Sequence, residues 1–140
     1  MKTIIMLCAA ILVAGCTSSG GPEASPPAQT QAAEHEADLA AALSGRIAGP
    51  PQDCVSEADL GGNKAYGKGV ILFSGRTDDV VYVNRPAVGC PGVDFGRALK
   101  TQTPMSKLCR GDIVIVFDPV SGIEFGSCSL GEFTPYRRAR

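Results

Sequence analysis

Four cysteines in a short stretch of chain restrict the folds open to this protein more than any other feature of its sequence. Within residues 44–140 they are Cys54, Cys90, Cys109 and Cys128. A domain of this size buries a small apolar core and often depends on covalent cross-links. An even number of cysteines in a small exported domain is typical of disulfide bonds. The sequence therefore predicts two disulfides, for which three pairings are possible.

The positions of the cysteines favour one of these pairings. Residues 86–109 form a segment too long for a bare loop in a compact domain, and a cysteine lies near each of its ends. A bond between Cys90 and Cys109 would fasten this segment to the domain. Cys54 would then pair with Cys128 and join the beginning of the domain to its end. The two other pairings stay open.

The same cysteines match a metal or redox site poorly. Zinc sites usually take their ligands in close pairs, and redox pairs usually have the C-x-x-C spacing. Here successive cysteines are separated by 36, 19 and 19 positions. We therefore expect no metal site and no cofactor, with a cysteine-dependent metal-binding protein as an alternative.

The rest of the domain has the sequence pattern of β-strands. β-Branched and aromatic runs cover residues 69–73, 80–83, 113–117 and 123–127. Polar residues separate the first two runs, and Pro119 and Gly122 lie between the last two, so each pair is a predicted hairpin. A further short strand is expected at residues 54–56. The predicted fold class is mainly β, a small disulfide-linked sheet or partly open barrel of about five strands.

Three of these runs are apolar at successive positions. Because side chains of a strand alternate between its two faces, both faces of the sheet should be covered. We expect residues 86–109 to supply the second cover.

The N-terminus has the pattern of an export signal. Lys2 precedes an apolar run at residues 4–14, which is shorter than the roughly 20 residues that a membrane-spanning helix needs. The run leads into V-A-G-C, which resembles the lipobox of bacterial lipoproteins. The resemblance implies a signal peptide over residues 1–15, cleavage before Cys16 and acylation of Cys16. Thr17 in the next position then favours the outer membrane, facing the periplasm.

Residues 16–43 contain Ser, Gly, Pro and Gln followed by an alanine-rich stretch. This composition predicts a flexible acidic tether, with a short helix possible before Gly45. The folded domain would then cover residues 44–140. With a formal net charge of −1, the chain has no electrostatic signature of nucleic-acid binding.

The candidate catalytic groups are few. His35 is the single histidine and lies in the predicted tether, so the domain cannot form a Ser-His-Asp or Cys-His arrangement. Asp78 and Asp79 are adjacent but lie in a predicted hairpin loop, where Asp favours turn hydrogen bonds. We expect a protein that is not an enzyme. The alternative is an envelope enzyme that depends on carboxylates or on a free thiol.

Three segments of the domain resemble a known family. They are G-R-I-A-G-P-P-Q-D-C from Gly45, V-Y-V-N-R-P from Val81, and L-C-R-G-D with C-S-L-G-E-F-T-P-Y-R-R near the end. The family comprises small exported alphaproteobacterial proteins, often lipoproteins. The resemblance covers most of residues 45–138 and implies export and recurring cysteines, but it supplies no activity.

Within these segments, Asn84, Arg85 and residues 131–136 are the candidates for a shared surface site. The alternative, which we favour, is that Asn84 ends a strand while Phe133 and Tyr136 pack in the core. The basic residues 136–140 could contact lipid phosphates. For them a solvated, frayed end is the favoured alternative.

Together these patterns predict a lipid-anchored envelope protein that carries one small β domain. Its partners would be membrane lipid, through acylated Cys16, and an envelope protein or ligand bound by the domain. The expected function is a non-enzymatic binding or accessory module.

Overall fold

The computed structural model describes residues 28–103 and 105–140. The helices are α1, Ala28–Ala42, and a short 3₁₀ helix, Glu57–Asp59. The strands are β1 Arg46–Ala48, β2 Cys54–Ser56, β3 Leu60–Tyr66, β4 Val70–Gly75, β5 Val80–Asn84, β6 Ala98–Thr101, β7 Lys107–Cys109, β8 Ile113–Phe117, β9 Glu124–Ser129 and β10 Phe133–Arg138. The predicted signal peptide and Cys16 lie outside the described residues.

The strands form three antiparallel sheets, which confirms the mainly β fold class. The main sheet has the order β1-β10-β5-β4-β3, a second sheet has the order β6-β8-β9, and β2 pairs with β7. Both predicted hairpins are present as β4–β5 and β8–β9, and the expected short strand is β2. The sequence does not predict β3, because most of its residues, L-G-G-N-K-A-Y, have low β propensity. Pairing with β4 holds it in the sheet.

The β4–β5 hairpin is buried on both faces, as the sequence predicted. On one face Ile71 and Phe73 of β4 pack with Tyr82 of β5 in the larger apolar cluster. The expected segment, residues 86–109, contributes Cys90, Val93 and Leu108 to this cluster, together with side chains of β8 and β9. In β8 the prediction is wrong, because Ile113 is exposed and only Val114 and Val116 are buried.

Helix α1 covers the other face of the hairpin. Leu39, 2% exposed, packs against Val70 and Leu72 of β4 and against Val81 and Val83 of β5. The helix ends at Ala42, and the chain reverses at Gly45, whose positive φ of 71° is suited to glycine. Among the described residues, no helix combines the length and apolar character that a membrane span requires.

This position of α1 differs from the predicted tether over residues 16–43. The alanine-rich stretch forms a helix, as the composition allowed, but it belongs to the folded unit because Leu39 completes an apolar cluster. His35, expected outside the domain, is half-buried beside Gly67 in the β3–β4 turn. Isolated helices of this length are marginal, so packing on the sheet stabilises α1.

Two disulfides are present, but the favoured pairing is wrong. Cys54 pairs with Cys109 and Cys90 pairs with Cys128. The first bond joins residues directly opposite each other in the β2–β7 ladder. The second crosses the buried cluster and links the segment after β5 to β9. The Cys54–Cys109 pairing follows from strand register and the Cys90–Cys128 pairing from packing in the larger cluster, whereas the prediction used only positions along the chain.

We expect both disulfides to stabilise the fold, and the buried one to contribute more. Loop-closure entropy gives about 4 kcal/mol for each, since the bonds span 55 and 38 positions. Replacing Cys90 and Cys128 by Ala should lower the free energy of unfolding by more than replacing Cys54 and Cys109, because the first pair also packs in the core. Urea unfolding of both double variants tests this order. Peptide mapping that linked Cys90 to Cys109 would contradict the assignment.

Candidate functional sites at the two ends of the main sheet

Asn84 is not part of a surface site. Its side chain is fully buried at the end of β5. Its amide donates to the carbonyl of Gly131 at 2.8 Å and accepts from the Gly131 amide at 2.9 Å. These two bonds join β5 to the turn before β10, and an added Cβ at Gly131 would overlap the Arg85 carbonyl. Asn84 therefore has the structural role that we favoured from the sequence, at the end of a strand.

The other residues of that predicted site have different positions. Arg85 is exposed. Phe133 is fully buried in the larger cluster, and Tyr136 packs partly buried against the smaller one. The structure therefore brings Asn84, Arg85 and Gly131 together through backbone contacts, but of these side chains it places Arg85 at the surface and Asn84 in the interior.

The main sheet has two ends that differ in chemistry. At one end lie the β4–β5 loop, the beginning of β1 and the end of β10, with Arg46 opposite Arg138. At the other end lie the β3–β4 turn, Gly67 to Gly69, and the beginning of α1 at Ala28. We name the first the arginine end and the second the Ala28 end. The arginine end is defined by Arg46, Arg137, Arg138 and Arg140.

The guanidinium groups of the arginine end are brought together by strand pairing. Arg46 of β1 lies directly opposite Arg138 of β10. Arg46 Nη2 and Arg138 Nε both donate to the carbonyl oxygen of Asp78, at 2.9 and 3.0 Å. Like charges directly opposite each other in a sheet are destabilising. The fold therefore holds two cations at one acceptor against their mutual repulsion.

The arginine end has unused hydrogen-bonding capacity. None of the ion pairs formed within residues 28–103 and 105–140 includes one of its four arginines. Arg46 Nη1 is buried and has no hydrogen-bond partner in this part of the chain. Planar guanidinium groups bind carboxylate and phosphate oxygens through paired N–H donors. This arrangement is suited to an anion.

A concave surface of about 480 Å³ lies beside these groups. Its lining includes Arg137, Arg138, Arg140 and the hydroxyl of Thr77. Asp79 also lines it, and its carboxylate accepts from Thr77 at 3.3 Å. The four arginines, together with Arg76 of the β4–β5 loop, outnumber the carboxylates of Asp78 and Asp79 at this end, so the local charge is positive.

The sequence contained only part of this site. The sequence predicts a frayed basic end over residues 136–140, whereas the structure places Arg137 and Arg138 in strand β10. Arg46 carried no signal, because it lies 92 positions before Arg138 and only the β1–β10 pairing brings them together.

A second concave surface, of about 500 Å³, lies at the Ala28 end between α1 and the β3–β4 turn. Its lining includes His35 and charged side chains of both signs, namely Glu36, Lys68 and Asp94. Within the described residues, no group of three or more His, Cys, Asp or Glu side chains is arranged to hold a metal ion.

Several other carboxylates of the domain have structural partners. Asp112 accepts from the Cys109 amide at 2.7 Å, and Glu132 pairs with Arg110 at 3.0 Å. Asp118 accepts from the amides of Ser121 and Val120 in the β8–β9 turn. These bonds, that of Ser121 first, lower the pKa of Asp118 below its ordinary value. This is the turn-forming role that the sequence assigned to Asp residues in hairpins.

We expect replacement of Asn84 to affect stability and not surface binding. Asn84→Ala leaves the N–H and C=O of Gly131 without their partner, which should lower the free energy of unfolding by about 2 to 3 kcal/mol. Arg85→Ala is the matched control, because an exposed side chain should change it by less than about 0.5 kcal/mol. Urea unfolding measures both variants. Equal stability of the two proteins would contradict a bracing role for Asn84.

No protein-family model, curated protein or solved structure matches the chain.

Proposed function

We propose that this protein is a lipid-anchored component of the bacterial cell envelope whose β domain is a non-enzymatic binding module for an anionic partner. Acylated Cys16 is the anchor, and the arginine end is the binding surface. The domain then lies on the periplasmic side of the outer membrane.

The anchor is supported by the order of features at the N-terminus. A basic residue, an apolar run, Ala14, Gly15 and Cys16 follow one another as in bacterial lipoproteins. The disulfides Cys54–Cys109 and Cys90–Cys128 are consistent with export, because such bonds persist in oxidising compartments such as the periplasm.

The anionic partner is supported by one observation above all, the opposition of Arg46 and Arg138 across β1 and β10. Placing two guanidinium groups on a single carbonyl lowers the stability of the free protein. An anion bound beside them, on the concave surface that Arg137, Arg138 and Arg140 line, would supply the missing negative charge. An anion that relieves this repulsion would bind more tightly for that reason, so the paired arginines would favour binding although they destabilise the free protein.

The anchor is tested by replacing Cys16. We expect Cys16→Ala to lose fatty-acid labelling and to leave the membrane fraction of bacteria that express the full chain, because three acyl chains hold a protein on a bilayer far more firmly than one. Cys8→Ala is the matched control and should remain labelled, since Cys8 lies in the part removed with the signal. Labelling of the Cys16→Ala protein would contradict the anchor.

The binding surface is tested with inorganic pyrophosphate as a defined anion. At constant ionic strength, pyrophosphate should raise the thermal unfolding midpoint of the wild-type protein relative to chloride, because a ligand of the folded state stabilises it. The double variant Arg46→Gln, Arg138→Gln should lose this rise. Arg85→Gln removes one positive charge at the other end of the sheet and should retain it.

The comparison separates a specific site from a general effect of charge. An equal rise in all three proteins would show that pyrophosphate acts through net charge or solvent, and it would contradict the arginine end as the binding surface. A rise in none of them would contradict it as well.

A further inference from the structure

The Ala28 end exposes large apolar side chains. Val88 is 87% exposed and Phe95 is 73% exposed, although both belong to the segment that also places Cys90 and Val93 in the core. They are two of eight large apolar side chains exposed on the described part of the chain, and an exposed apolar surface marks contact sites for proteins or membranes. These residues are not required to complete either apolar cluster of the fold.

Arg97 joins Phe95 to a second exposed aromatic residue. Its guanidinium carbon lies 3.4 Å from the centre of the Phe125 ring and 5.2 Å from the centre of the Phe95 ring. Its Nη1 donates to the carbonyl of Gly92 at 3.0 Å, which holds the side chain in place. The surface thus presents two apolar rings with a positive charge fixed between them.

These side chains lie where the chain from Cys16 enters the domain. Phe95 follows Asp94, which lines the same concave surface as Ala28, the first residue of α1. Val88 precedes Gly89, which packs against Lys68 of that surface. The apolar residues and the start of the described chain therefore share the Ala28 end.

The charges of this end suit a lipid surface. Lys68, Arg85 and Arg97 carry positive charge here, and Lys68 and Arg85 are exposed. Asp94 and Glu36 carry negative charge and lie in the concave surface beside them. At a membrane interface, basic side chains bind headgroup phosphates while aromatic and aliphatic side chains enter the layer below.

We propose that the Ala28 end rests on the bilayer, with Phe95 and Val88 among the lipid headgroups and with Arg97 and Lys68 on their phosphates. This inference rests on the proposed anchor at Cys16. Twelve positions separate Cys16 from Ala28 and span at most about 40 Å, so acylation keeps this end near the membrane.

Because the domain is tethered, a small contact with the membrane is sufficient to orient it. A surface held at high local concentration needs no affinity for recruitment, and even a weak contact then sets the orientation of the domain. In this orientation the arginine end, at the opposite end of the sheet, faces away from the bilayer and toward a partner. Membrane contact and partner binding thereby occupy different ends of one sheet.

The test uses a single tryptophan as reporter, because the chain contains none. The full chain is purified with its acyl groups and reconstituted in phosphatidylethanolamine–phosphatidylglycerol vesicles that carry brominated acyl chains. Phe95→Trp reports on the Ala28 end. Ile47→Trp is the matched control, since Ile47 is 66% exposed in β1, beside Arg46.

We expect the emission of Phe95→Trp to shift to shorter wavelength and to be quenched by the brominated lipid about twofold more than that of Ile47→Trp. Val88→Trp is a second reporter at the same end and should behave as Phe95→Trp does. Agreement between the two reporters would show that the quenching is not a local effect of one substitution.

Mass spectrometry of the purified chain separates failure of the anchor from failure of the docking. A chain without acyl groups would overturn the proposed anchor, and with it this inference. An acylated chain in which neither Phe95→Trp nor Val88→Trp is quenched more than Ile47→Trp would overturn the docking alone. A blue shift that depends on protein concentration and not on brominated lipid would also overturn it, because a second copy of the chain would then cover the surface.

Discussion

Burial of the β4–β5 hairpin on both faces is the interaction on which the rest of the structure depends. Ile71 and Phe73 face one cluster while Val70 and Leu72 face the other, so each strand is stable only with a cover on each side. A domain of this size contains few helices and strands with which to cover two faces. The smaller sheets supply one and α1 supplies the other.

Apolar contact is not the only interaction that holds the smaller sheets against the β4–β5 hairpin. The Cys90–Cys128 bond runs through the larger cluster and joins the segment after β5 to the β8–β9 hairpin. Asn84 binds the backbone of Gly131 from the end of β5. These connections join the end of β5, and the segment directly after it, to elements distant in the chain, which reduces the number of compact alternatives that the core alone would permit.

The two-cover arrangement also separates the surfaces of the molecule. Because α1 runs along the sheet from the Ala28 end toward Arg46, it carries the incoming chain to one end and leaves the other end free. Arg46 and Arg138 meet at that free end through β1 and β10. The membrane contact and the anion site that we propose therefore lie at different ends of one sheet and share no residue.

The sequence by itself determined the fold class, both hairpins, the presence of two disulfides and the burial of β4 and β5, because each of these depends on local composition and on the period of side chains along a strand. It did not determine that Cys54 bonds to Cys109, that α1 belongs to the core, or that Arg46 meets Arg138. These features depend on strand register and on contacts between distant positions, about which a single chain contains no local signal. Tertiary packing decided them, since only the folded sheet brings the partners within bonding distance.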